Sequence, residues 1–144
     1  MNPNRTPRKL RRRYFSLIEI MIVVVIIGLL SGIVGVNIYK YIDSARSNKA
    51  KAEIFSLKNA IGTFYADMGD FPRSLDELVR NPGSTKWDGP YLDPPKVPKD
   101  PWGQDYTYVV PGQHGPFDLY SYGKNKTAGG TGADADINSW GEEE

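Results

Sequence analysis

Positions 15–36, FSLIEIMIVVVIIGLLSGIVGV, are apolar almost without interruption. As a helix rising about 1.5 Å per residue, 17–36 would span roughly 30 Å, the thickness of a bilayer core. A helix satisfies its own backbone hydrogen bonds in lipid, so the run predicts a membrane-embedded helix. One carboxylate, Glu19, interrupts it. A charge in lipid costs about 2.5–3.5 kcal/mol on insertion scales, which predicts a partner for Glu19. The plain alternative is that Glu19 reaches the headgroups from the first helical turns.

The helical pattern continues past 36. Residues 37–68 contain no proline, and Ile38, Tyr41, Ile42 and Ala45 carry one stripe forward. Ile54, Leu57, Ile61, Phe64, Tyr65 and Met68 then recur at steps of three and four, with Lys49, Lys51, Glu53, Lys58 and Asp67 elsewhere on the wheel. Gly69 and Pro72 stop it. The prediction is a single helix over 15–68, roughly 80 Å long. Its first half is greasy all round and suits lipid or other apolar helices. Its second half is amphipathic and suits a domain surface.

Beyond it, SLDELV at 74–79 predicts a short helix with Ser74 as cap and Glu77 completing a capping box. Prolines 82, 90, 94, 95, 98 and 101 then break up regular structure as far as the DPWG turn at 100–103. YTYVV at 106–110 and FDLYSY at 117–122 predict two strands joined by a PGQHGP turn. A polar glycine loop follows at 124–136, and Ile137 and Trp140 offer a last apolar anchor. The predicted fold class is α+β, a long N-terminal helix packed on a small antiparallel sheet.

Charge adds a direction. The 144 residues carry 18 Lys and Arg against 17 Asp and Glu, a net charge near +1 that says little about partners. Its distribution says more, because Arg5, Arg8, Lys9, Arg11, Arg12 and Arg13 all precede the apolar run. Positive charge beside a span stays cytoplasmic, so the N-terminus is expected inside and the rest outside. A topology signal accounts for the basic arm better than nucleic-acid binding does. The absence of cysteine excludes disulfides, thiol chemistry and a lipidated cysteine anchor. Catalysis finds little support. The single histidine, His114, sits in a Gly-Pro turn, where a solvated loop role is expected. Ser121, Asp118 and His114 are close in sequence but come without a nucleophile elbow.

The stretch FSLIEIM at 15–21 resembles the prepilin signature of the type IV pilin and type II secretion pseudopilin superfamily. Further matches cover almost the whole chain: GPYL at 89–92, DPWG at 100–103, SYG at 121–123, Gly129-Gly130, and ADI at 135–137 with Trp140. Together these look like the G-type major pseudopilins of type II secretion. The resemblance implies a type IV pilin-like fold divided into a basic leader (1–14), a transmembrane and assembly segment (15–36), an amphipathic helix segment (37–68) and a periplasmic domain (69–144) with a glycine loop at 123–136.

It also implies a mechanism. A prepilin peptidase cuts between Tyr14 and Phe15 and methylates the new Phe15 amine. Glu19 then meets the Phe15 amine of a neighbouring copy, and Gly28 and Gly32 (with Gly35) allow close helix approach. The repeated contact does not close, so it builds a helical filament that pushes folded proteins through an outer-membrane channel. Implied partners are further copies in a homopolymer, minor pseudopilins, the membrane, and an inner-membrane assembly platform with its ATPase. No P-loop is present in the chain itself, and nucleic acid is not expected. The implied location is the bacterial inner membrane, single-pass, and a periplasmic filament after processing.

Three positions depart from the family pattern. Tyr14 stands where the peptidase reads Gly, and Val36 where Pro is common. The third concerns a calcium site the family builds in the glycine loop. The matching candidates are the carbonyls of Tyr122 and Ala133, the side chains of Asn125 and Asp134, and Asp136 nearby. Asn125 stands where Asp is usual, flanked by Lys124 and Lys126, and a weakened site is expected. The plain alternative is a loop held by its own turns and by Trp140. Two rival functions stay open: a type IV or competence-type pilin, and a signal-anchored domain that never polymerises.

Overall fold

The structure is a computed structural model that describes residues 15–141, with side chains at 32–37 excepted. The leader at 1–14, with Tyr14, therefore lies outside the described residues. Beyond their helical backbone, Gly32, Gly35 and Val36 are likewise outside the description. The chain divides into two compact units, 1–39 and 40–144.

One helix, α1, runs Leu17–Met68, starting two residues later than expected. The start has a local cause. Ser16 Oγ accepts the Ile18 N–H at 3.3 Å, and Glu19 Oε2 accepts the Ser16 N–H at 2.8 Å. Ser16 and Glu19 thus form a capping box that satisfies amides the first helical turn leaves free. Within the first unit the apolar side chains are exposed, among them Leu17, Ile22, Val25, Leu29 and Leu30. Among the described residues no helix is both long and apolar enough to cross a membrane. The described apolar stretch, 17–31, falls short of the about 20 residues a bilayer requires.

Within the second unit, α1 buries one face. Ala50, Ile54, Leu57, Ala60, Ile61 and Phe64 lie at helical spacing and are all buried. The expected stripe over 38–45 is not covered: Ile38, Tyr41 and Ile42 are exposed. Tyr65 is also exposed, although its ring stacks on Phe71 at 4.5 Å. Against the buried face pack Leu75, Leu78, Tyr106, Leu119 and Ile137.

The sheet has three antiparallel strands in the order β1-β2-β3. β1 is Thr107–Val109, β2 is Asp118–Ser121 and β3 is Ile137–Asn138. Tyr108 pairs with Leu119, and Ser121 with Ile137. The first two strands sit inside the predicted windows. The third is new, because two residues are too few to show alternation. It forms where Leu119 draws the chain in, its carbonyl accepting the Ser139 N–H at 2.9 Å.

The short helix at 74–79 is a 3-10 turn, Leu75–Leu78, and the capping box expected there does not form. Ser74 makes no side-chain cap bond, and Glu77 Oε2 accepts the Arg73 N–H instead, at 3.0 Å. A 3-10 turn this short buries Leu75 and Leu78 and leaves few amides to cap. The DPWG turn is organised by Asp100, which is buried. Its Oδ1 accepts the N–H of Trp102 at 3.0 Å and of Gln104 at 2.7 Å, and its Oδ2 accepts the Ser121 hydroxyl at 2.7 Å.

Candidate functional site

Glu19 is exposed in the single chain, on the first turn of α1. It is not without a partner there, because the Ser16 amide already occupies Oε2. That partner is a neutral amide, so the expected positively charged mate from another copy is a separate matter. The capping bond uses one carboxylate oxygen and leaves the charge unneutralised, so an ammonium group can still be received. Phe15, 78% exposed, lies four positions before it. Around these two residues runs the bare apolar surface from Leu17 to Leu30, a far larger exposed apolar area than a monomer in water tolerates. A Cβ built at Gly28 meets nothing within 4 Å, so the helix offers a notch there to an incoming neighbour.

The second candidate is the glycine loop at 123–136. It leaves β2 at Gly123, whose N–H is donated to Ser121 Oγ at 3.1 Å. Gly123 has φ +68°, and a Cβ there would lie 2.7 Å from the Ala135 carbonyl, so only glycine fits. The Lys124 amide donates to the Ala133 carbonyl at 3.1 Å, closing the loop across its neck. Asn125 Oδ1 accepts the Thr127 N–H at 3.1 Å, and its Nδ2 donates to the Gly129 carbonyl at 3.1 Å. Asp136 Oδ2 accepts the Gly129 N–H at 3.0 Å.

These bonds test the calcium expectation. Calcium asks for six to eight oxygens, several of them charged. Of the candidates, the Ala133 carbonyl and both ends of the Asn125 side chain are engaged with loop N–H and C=O groups. Asp134 is exposed and makes no side-chain bond among the described residues. Asp136 Oδ1 is buried and without a hydrogen-bond partner, which leaves one inward oxygen open. Among the described residues no three acidic or histidine side chains gather as a metal group would need. The charged oxygens left open are those of Asp134 and Asp136 Oδ1, and the Asn125 carboxamide presents a donor beside them, so the loop as it stands offers calcium few of the acceptors it takes.

His114 is not simply solvated. Its ring stacks on Trp140 at 4.1 Å, and Nδ1 lies 3.1 Å from Asp118 Oδ2. Burial would raise the Asp118 pKa, but the Gln113 N–H, the His114 ring and the His114 N–H outweigh it and hold the carboxyl below its usual range. Trp140 also meets the Tyr120 edge at 5.8 Å, so the last anchor expected from the sequence is in place. No relay forms, since the Ser121 hydroxyl is given to Asp100 and not to His114.

Known proteins bear on this arrangement. The family described as type II secretion system, protein G, matches residues 37–140. The type II secretion system core protein G of Xanthomonas campestris is 41% identical over 134 residues, covering 92% of this chain and 93% of that one. Its counterpart in Pseudomonas aeruginosa is 42% identical over 135 residues, covering 88% and 93%. The crystal structure of the major pseudopilin from the type 2 secretion system of enterohaemorrhagic Escherichia coli aligns with a TM-score of 0.54 and 27% identity, covering 68% of this chain and 89% of that chain. The chain belongs to the type II secretion system protein G family.

Proposed function

We propose that this chain is the major structural subunit of a type II secretion pseudopilus, held in the inner membrane by α1 and then polymerised through it. The observation that carries this is the exposed apolar surface of the first unit, with Glu19 at its start, in a chain of this family. Such a surface demands lipid or like helices. In the filament, the Glu19 carboxylate pairs with the Phe15 amine of the next copy, an attraction that water weakens far less inside a helix bundle. The charge of the pair is what another copy adds, since the capping bond is already satisfied within one chain.

The proposed topology follows the basic arm, N-terminus cytoplasmic and domain periplasmic. Residues 32–36 extend the apolar sequence to spanning length. A prepilin peptidase processes the chain between Tyr14 and Phe15. Minor pseudopilins, an assembly platform and its ATPase are the further partners. The role is mechanical and not catalytic.

The test is the N-terminal mass of the chain purified from secreting cells. The reading predicts a mature chain that begins at N-methyl-Phe15 despite Tyr14. A chain that still carries residues 1–14 in assembled material would overturn it.

A further inference from the structure

We propose that the glycine loop is fastened by two lysines of this chain, Lys124 and Lys58, and keeps its shape without calcium. The inference concerns the domain's own fold and stands apart from the filament reading.

The first fastening is between loop and helix. Lys124 Nζ lies 2.8 Å from Asp43 Oδ2, across 81 positions of sequence. The Asp43 side chain is only 22% exposed, so the pair is partly withdrawn from water, where charges attract more strongly than at an open surface. Lys124 works at both ends. Its backbone N–H holds the Ala133 carbonyl on the far limb of the loop, and its ammonium holds α1. The second fastening lies just past the loop, where Lys58 Nζ donates to the Ser139 carbonyl at 3.1 Å. Asp43 and Lys58 both belong to α1, and at about 1.5 Å per residue they lie roughly 22 Å apart along its axis. The first limb of the loop and the segment just past β3 are therefore tied at separate points on one helix.

Inside the loop, Asn125 does the gathering a metal would do. The Thr127 N–H fixes its oxygen end, which leaves the Nδ2 donor facing the Gly129 carbonyl. That Nδ2 is 3.0 Å from where a Gly130 Cβ would sit, and the Asp134 carbonyl crowds the same place. A calcium ion there would meet a donor where it needs an acceptor. Lys124 and Lys126 add like charge on either side. The loop thus carries a lysine tied to α1 and an amide that gathers its turns, where a metal site would carry a bound cation at its centre.

Hydrogen exchange of the amides at 123–135 tests this, on the full chain in detergent micelles. Wild-type exchange is expected to be the same in EGTA and in about 1 mM calcium chloride, the weak end of protein calcium sites. Lys124→Asp and Asp43→Lys are each expected to speed exchange about two- to fivefold, the range of a partly exposed ion pair. Combining them reverses the pair and is expected to restore the wild-type rate. Should the reversed charges disturb folding, Lys124→Gln and Asp43→Asn give the same comparison, and together they are expected to be no faster than either alone. Calcium slowing wild-type exchange tenfold, with reversal by EGTA, would overturn the proposal. So would a reversed pair no slower than the single variants.

Discussion

Two tyrosine hydroxyls sit where ionisation conflicts with the fold. Tyr106 donates to Glu53 Oε2 at 2.5 Å, and Tyr108 donates to the Pro72 carbonyl at 2.9 Å. Burial, with the nearby Glu77 charge, pushes Tyr108 from an ordinary value of 10.0 up to about 12. Burial and the Glu53 carboxylate push Tyr106 the same way. Both groups therefore favour the neutral form when folded, and their contribution is complete below pH 10. The unfolded chain ionises first as pH rises, so stability is lost from about pH 10 upward. Urea unfolding of the chain in micelles at pH 8, 10 and 11 is predicted to show a falling midpoint. Tyr108→Phe is predicted to flatten that fall while costing about 1 kcal/mol at neutral pH for the missing hydrogen bond.

At the scale of elements, the second half of α1 carries the core. Leu57 is fully buried among Ala50, Ile54, Ile61 and Leu119. Leu57→Ala is predicted to cost about 2–5 kcal/mol, measured by urea unfolding followed through tryptophan fluorescence. The conservative change Leu57→Met is predicted to cost under about 1.5 kcal/mol. Most of this element was legible, because Ile54, Leu57, Ile61 and Phe64 repeat at helical steps. What was not legible has physical causes. The stripe at 38–45 has the right period, but periodicity does not say whether anything lies against it. Three S-x-x-E patterns occur in the chain, at 16–19, 74–77 and 139–142, and of the two that lie wholly within the described residues only SLIE at 16–19 forms a capping box. It opens a 52-residue helix, whereas SLDE at 74–77 opens a 3-10 turn of four residues. The stronger signal, directly before a long apolar run, was there to be read. The strand at 137–138 was beyond reach, since its pairing depends on Leu119 and Ser139 meeting across the fold. In the loop, the glycines marked the turns, but the Lys124 to Asp43 contact spans a distance no local pattern encodes.

For the whole molecule, the exposed apolar surface of the first unit and the closed core of the second ask for different surroundings. The domain closes its core with its own contacts. The helix start stays bare, and the proposed filament is what completes it. The proposed account adds a second role to the capping role of Glu19, and a single substitution separates the two. As the third residue of α1, closing the capping box, it needs an oxygen acceptor, which glutamine also supplies. As the partner of a neighbouring amine it needs a charge, which glutamine lacks. The direct measurement is therefore filament yield and protein export in cells producing Glu19→Gln, beside wild type and Glu19→Ala, with the membrane level of each chain determined. The account predicts that Glu19→Gln accumulates in the membrane at the wild-type level yet loses filaments and export as fully as Glu19→Ala. Filaments and export at wild-type levels in Glu19→Gln would contradict it, and would leave Glu19 as a helix cap alone.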